Sequence, residues 1–196
     1  MNYKILKNKE FSLGRYKIVT LRHEDIFKIM QWRNEQIEVL RQKKPLTRED
    51  QEKYFTDVVK PTFTQSQPPI MLFSLLFDGL LIGYGGLVYI DWESNRAEVS
   101  FLVDPARAED SKTYEADFSA YLSLLKRIAF DDLSLNRIYS ETYSIRVNHI
   151  KILEKNGFKY EGTLKEHNYI DKKYVNSLMH AVLRSDYVKD KKRNIK

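Results

Sequence analysis

No cysteine occurs in the 196-residue sequence, which suits a reducing compartment and excludes thiolate nucleophiles, thiolate zinc sites and covalent thioester intermediates together. Chemistry therefore falls to other groups. No segment reaches the roughly 18 apolar residues of a membrane span, and Met1 to Glu10 (MNYKILKNKE) lacks the continuous apolar core of a signal peptide. A cytoplasmic protein without a membrane partner is expected. Also missing are a Gly-x-Ser-x-Gly elbow, a Walker loop and a His-Glu-x-x-His pair. The histidines, His23, His149, His167 and His180, offer no helical metal pair, so no metal is expected.

What is present begins with charge. The formal net charge is +6, and Lys189 to Lys196 (KDKKRNIK) supplies +4 of it. This run reads as a solvated, flexible basic tail behind a single domain over residues 1–188. Nucleic acid is disfavoured as a partner because the basic residues there do not interleave with aromatics.

A chain of this length has the size of one domain that buries about two-thirds of its unfolded surface. Lys17 to Leu21 alternates as a strand, and Ile26, Phe27, Ile29 and Met30 take up helical spacing after Asp25. Thr47-Arg48-Glu49-Asp50 fits a capping box before a helix carrying Tyr54, Phe55, Val58 and Val59 and expected to stop before Pro61. Met71 to Phe77 and Leu80 to Ile90 form a hairpin around Asp78-Gly79, with Gly83, Gly85 and Gly86 marking a bulge, a close backbone approach or ordinary packing.

Arg96 to Val103 reads as a strand ended by Asp104-Pro105, and the polar stretch Ala106 to Asp117 reads as a loop. Phe118, Tyr121, Leu122, Leu125, Ile128 and Ala129 then lie along one helical stripe. Arg137 to Tyr143 is a strand, Val147 to Asn156 a helix closed by Gly157, and Phe158 to Glu166 and Tyr174 to Leu183 the last strands. The expected fold is α/β, a mixed and mostly antiparallel sheet of about seven strands flanked by about four helices.

This order of elements resembles the GNAT N-acetyltransferases. Local strings are similar to the branch holding ribosomal-protein N-terminal acetyltransferases and nucleotide-sugar acetyltransferases. They are Thr20-Leu21-Arg22 with Asp25, Trp32-Arg33-Asn34, Ala97-Glu98-Val99 through Val103-Asp104-Pro105, and Ile150 through Gly162 with its Leu153-Glu154-Lys155-Asn156-Gly157-Phe158 core.

The resemblance implies acetyl-CoA as acyl donor and an amine as acceptor, on a small molecule such as a nucleotide-linked amino sugar or at a protein N-terminus. It implies that the strand of Phe101 and Val103 offers backbone groups to the pantetheine arm. It makes Glu98 the general base. Family members bind the diphosphate with Arg/Gln-x-x-Gly-x-Gly/Ala, whereas Arg107 to Asp117 here has no glycine and four carboxylates. Arg107, Ser111, Lys112 and Thr113 are the candidates to replace that cradle, with Asn148 a further contact.

The tyrosine that often protonates the leaving thiolate is matched by Leu153, which leaves Tyr143 as a substitute. Arg146 and His149 stand where the branch has asparagine and serine. Trp32, Arg33 and Asn34 border the acceptor site in similar proteins; the plainer role for Trp32 is core packing, with Arg33 paired to Glu35 or Asp25. The altered loop and Leu153 also fit a GNAT-fold binding module without transfer activity. Homodimerisation by strand addition at the final hairpin is one route to an oligomer.

Overall fold

The computed structural model describes residues 2–193, so Lys196 and its two predecessors lie outside the described part of the basic tail. Apolar runs joined by tight turns build a sheet of eight strands in the order β1-β2-β3-β4-β5-β6-β8-β7. These are β1 Phe11–Leu13, β2 Tyr16–Thr20, β3 Met71–Phe77, β4 Leu80–Asp91, β5 Arg96–Val103, β6 Arg137–Tyr143, β7 Lys159–Ile170 and β8 Lys173–Leu183. Every neighbouring pair is antiparallel except β5 and β6, which run parallel. At the β3–β4 turn Asp78 and Gly79 have φ of 49° and 81°, the positive values a mirror-type two-residue turn requires.

The helices are α1 Ile26–Glu35, α2 Arg48–Tyr54, α3 Lys60–Thr62, α4 Pro105–Glu109, α5 Ser111–Lys126, α6 Val147–Lys155 and α7 Arg184–Arg193. All six residues of the expected stripe, Phe118 to Ala129, are at 0% exposure, which makes α5 and the turn after it the spine of the core. Thr47 and Asp50 close the capping box expected of them.

Three expectations are corrected. The segment Ala106 to Asp117 is helical, because Asp104 caps α4 ahead of Pro105 at its first position and Asp110 caps α5 through the Thr113 N–H. The second helix does not stop before Pro61: a π turn over Phe55–Val59 widens the spiral, and Pro61 then occupies an N-terminal position of α3, where a missing N–H costs nothing. Residues 189–193 of the expected tail continue α7, held by Lys191 and Tyr187 donating to Asp131 at 2.9 and 2.8 Å. The adjacent Asp132 accepts from the N–H groups of Lys7 and Asn8, so one pair of aspartates secures both ends of the chain.

Gly85 and Gly86 are forced by close backbone approach. A Cβ at Gly86 would lie 1.8 Å from the Met71 carbonyl, and one at Gly85 would lie 2.0 Å from the Ser100 carbonyl and 2.6 Å from the Tyr121 hydroxyl. The missing side chain at Gly85 lets that hydroxyl donate to Ser100 O at 2.7 Å, fastening α5 to β5. Gly86→Ala is expected to cost about 1–3 kcal/mol through overpacking. Thermal unfolding checks this, at roughly 2–4 °C of Tm per kcal/mol; an unchanged Tm would show that the strands part without strain.

Candidate active site

Strands β5 and β6 pair at Arg96↔Arg137, Ala97↔Ile138 and Glu98↔Tyr139 and nowhere beyond. Past Glu98, β5 stays registered with β4 from Val99↔Leu87 to Val103↔Gly83, and β6 with β8 from Ser140↔His180 to Tyr143↔Ser177. The two strands therefore diverge, each supported on its outer side. Their inner peptide groups need another partner, which an extended, amide-bearing ligand supplies as an added strand would. Phe101 and Val103 lie on this parted half, and the Val103 carbonyl accepts from the Gln36 side chain at 2.9 Å.

Side chains alternate along β5, so Glu98 and Phe101 face opposite sides of the sheet. On the Phe101 side an aromatic column backs the cleft: Phe101 stacks on Phe118 with ring centroids 4.6 Å apart, and Phe118 on His149 at 4.2 Å. His149 Nδ1 and the Tyr114 hydroxyl lie 2.7 Å apart, and Arg146 donates to the same hydroxyl at 3.3 Å. Burial, followed by the Arg146 charge, pushes the His149 imidazole far below its usual range, so it is neutral. The Tyr114 hydroxyl accepts from Arg146 and shares a hydrogen bond with this neutral imidazole. The two departures at positions 146 and 149 are thus one network joining the first turns of α5 and α6.

On the opposite side the loop between α1 and α2 carries Arg41 over the end of the paired segment. Arg41 Nη2 lies 2.8 Å from Glu98 Oε1 and 3.0 Å from Glu141 Oε2, while Nη1 donates to Glu98 Oε2 at 3.3 Å. Glu98 is 8% exposed, and burial raises its carboxyl above the ordinary range, against the lowering effect of Arg41. Tyr143 is buried at the far end of β6, and burial raises its phenol, which keeps it protonated at neutral pH. Two carboxylates and one guanidinium leave this face with an excess negative charge suited to an ammonium group.

The segment Trp32-Arg33-Asn34 supports this arrangement from behind. Trp32 is 1% exposed in the core, so it presents no aromatic face to a ligand. Arg33 pairs with neither Glu35 nor Asp25; it donates to Gln42 Oε1 at 3.0 Å and to the Tyr84 hydroxyl. Asn34 accepts from the Leu46 N–H and the Gln42 amide at 2.8 and 2.9 Å and donates to the Leu46 carbonyl at 2.9 Å. These bonds fix the loop that delivers Arg41, whose contact with Glu98 and Glu141 sequence reasoning did not foresee. No local pattern marks it, because its partners lie 57 and 100 positions away.

The candidate diphosphate residues separate into two groups. Arg107 is committed to Asp117 at 2.6 and 2.8 Å, and Tyr16 donates to the same carboxylate at 2.9 Å; this network lies toward β2 and β3, away from the parted strands. Ser111 and Lys112 are exposed at the start of α5, and Asn148 is exposed at the start of α6. The Thr113 N–H is already taken by Asp110 at 2.6 Å. The parted strands fit the amide-bearing arm of acetyl-CoA. Lys112 and Arg146 are the cations at the starts of α5 and α6, and no glycine lies between Arg107 and Asp117. Leu153 is fully buried in the core and holds no proton to give. Among the described residues no group of three or more metal-ligating side chains occurs.

A sheet parted for an extended donor, with a carboxylate where the parting begins, defines an acyl-transfer enzyme. The acetyltransferase (GNAT) domain family matches residues 18–179, and the chain belongs to that family: it is an N-acetyltransferase that uses acetyl-CoA. Spermidine N-acetyltransferase from Vibrio cholerae, solved in complex with CoA and spermine, superposes with a TM-score of 0.75 at 18% identity over 90% of this chain and 99% of its own. Mutant forms of that Vibrio cholerae enzyme give 0.76 at 18% identity over 91% and 99%. Its dodecameric structure gives 0.71 at 20% over 89% and 97%. These likenesses establish the shared fold and support neither of the two branches named above. No curated protein sequence matches the chain.

Asn34→Ala should release the loop at Gln42 and Leu46. The expected outcome is a fall of about tenfold or more in kcat/KM with a Tm change of only a few degrees, as for misplacement of a supporting shell. Parallel steady-state kinetics and thermal unfolding check it; equal activity would mean that the loop holds Arg41 without Asn34.

Proposed function

We propose that the chain acetylates a primary amine of a small cationic molecule by direct attack, with Glu98 as general base and Tyr143 as general acid. The observation that carries this reading is the Glu98 carboxylate, buried at the last paired residue of β5, where the strands begin to part. Acetyl-CoA supplies an activated acyl carbon when bound. Glu98 takes the proton that the ammonium must lose, directly or through one water. Tyr143, still protonated at neutral pH, returns a proton to the departing sulfur.

Backbone groups of Phe101 and Val103 hold the arm of the donor, while Ser111, Lys112 and Asn148 with Arg146 hold its phosphates. The excess carboxylate at Glu98 and Glu141 supports a cationic acceptor, and spermine bound to the Vibrio cholerae relative agrees with that class. Trp32, buried in the core, offers no ring face on which a sugar, a nucleotide or a peptide terminus could stack. A module that binds without transfer is the competing reading, motivated by Leu153 and by the Asp110 carboxylate at the start of α5.

Release of free CoA thiol, measured with spermine, glucosamine and a short peptide as acceptors, decides between them. Transfer to spermine, reduced about 10²–10⁴-fold in Glu98→Gln with acetyl-CoA affinity retained, is the expected result. No release with any of the three would leave the binding module standing. Because burial raises the Glu98 carboxyl, kcat/KM should climb with pH through a limb above the usual carboxylate range, as the base becomes ionised. Lys112→Ala is expected to weaken acetyl-CoA binding by about tenfold in calorimetric titration, since it removes a charge from the phosphate end.

A further inference from the structure

We infer that Arg41 is a positioning residue of the transfer site, holding Glu98 ionised and oriented by tying it to Glu141 across the mouth of the parted strands. The inference rests on the reading of Glu98 as the base.

Glu98 belongs to β5 and Glu141 to β6, two residues past the last shared pair at Tyr139. Backbone hydrogen bonds no longer join the strands there, and one guanidinium takes over the connection. The carboxylate side chains are 11% and 17% exposed, whereas that of Arg41 is 43% exposed. The cation therefore reaches in from the surface to two acids that are mostly withdrawn from water. Buried carboxylates without a counter-charge take up protons instead of staying ionised. Glu98 loses its use as a base in that form.

The geometry of the loop argues for a fixed role. Gln42, next in sequence, is gripped by both Arg33 and Asn34, and Leu46 is held by Asn34 through its N–H and its carbonyl. Arg41 thus extends from backbone fastened to α1. The two-point contact with Glu98 fixes the carboxylate plane, which a single ammonium would leave free to rotate. Glu141 brings the second negative charge, so the trio keeps one charge in excess with Arg41 in place. One incoming ammonium balances it.

The groups facing Glu98 are Arg41 from the loop and Glu141 and Tyr139 from β6. Tyr143 on β6 responds to Arg41 and Glu141, and His167 Nε2 on β7 lies 3.7 Å from Glu141. Among the described residues Arg41 is the one cation in direct contact with the Glu98 carboxylate, and His167 contacts Glu141. Removing the guanidinium makes the ionised form of Glu98 less favourable and raises its titration; a lysine restores the charge without the two-point contact.

The test follows the side-chain carboxyl carbon of Glu98 by NMR in ¹³C-glutamate-labelled protein as pH is raised, in wild type, Arg41→Gln and Arg41→Lys. Thermal unfolding confirms that each variant is folded, and kcat/KM profiles with acetyl-CoA and spermine are recorded beside it. Glu98 is expected to titrate about 1–3 pH units higher in Arg41→Gln. In Arg41→Lys it should lie between that variant and wild type, with the acid limb of kcat/KM moving the same way. A Glu98 carbon that titrates alike in wild type and Arg41→Gln overturns the inference, whether or not transfer occurs. A shifted titration in a protein that transfers nothing to spermine supports Arg41's hold on Glu98 and removes the acceptor reading alone.

Discussion

Two neighbouring strands that share hydrogen bonds over three residues and then separate must each find other support for the separated halves. In this protein β4 holds β5 from Val99 to Val103 and β8 holds β6 from Ser140 to Tyr143, so the opening between them is an outcome of pairing preferences on their outer edges. The packing around it serves the same constraint. Gly85 allows Tyr121 to fasten α5 to the carbonyl of Ser100, and Phe101 is wedged against Phe118 and Tyr121. Phe118 then stacks on His149, which holds α6 in place on the other side of the opening. A cleft with rigid walls on both sides is worth more to catalysis than a flexible one, because the reacting groups need no further ordering.

Much of this fold can be read along the chain. The β3–β4 hairpin is legible because Asp78-Gly79 carries turn chemistry that few other structures need, and the stripe of α5 is legible because it repeats for about three turns. β1 is missed since three residues are too few to show alternation. The polar stretch before Asp117 is misread for a different reason. The first turns of a surface helix are polar by nature, and the informative signals are the caps at Asp104 and Asp110, not the apolar stripe that begins at Phe118.

The site divides along the same line. Glu98 is within reach of the sequence because it interrupts an apolar strand and matches a family position. The Trp32-Arg33-Asn34 string reads differently once folded: Trp32 is core, and its two neighbours bond to the loop that carries Arg41. The partners of Arg41 and the Tyr114 hydroxyl that links Arg146 to His149 escape notice because each contact joins segments tens of residues apart. Arg107, read from the sequence as a cation for the phosphate end, is bonded in the fold to a fully buried carboxylate, Asp117, that no local pattern marks as its partner.

The electrostatics at the opening explain why an ion-pair bridge stands where an apolar clasp would also join the strands. An apolar contact between β5 and β6 past Tyr139 would bury more surface without the desolvation cost of two acids and a guanidinium. It would also leave nothing for an ammonium to approach and nothing to remove its proton. The trio of Arg41, Glu98 and Glu141 gives up some of that stability for a site that retains negative charge around the proposed base. Because the cation comes from a loop anchored on α1, and the acids from strands anchored on opposite sides of the opening, a shift of any of the three elements changes the ionisation of Glu98. The part of the sheet that divides and the carboxylate proposed as the base are therefore coupled through a single side chain.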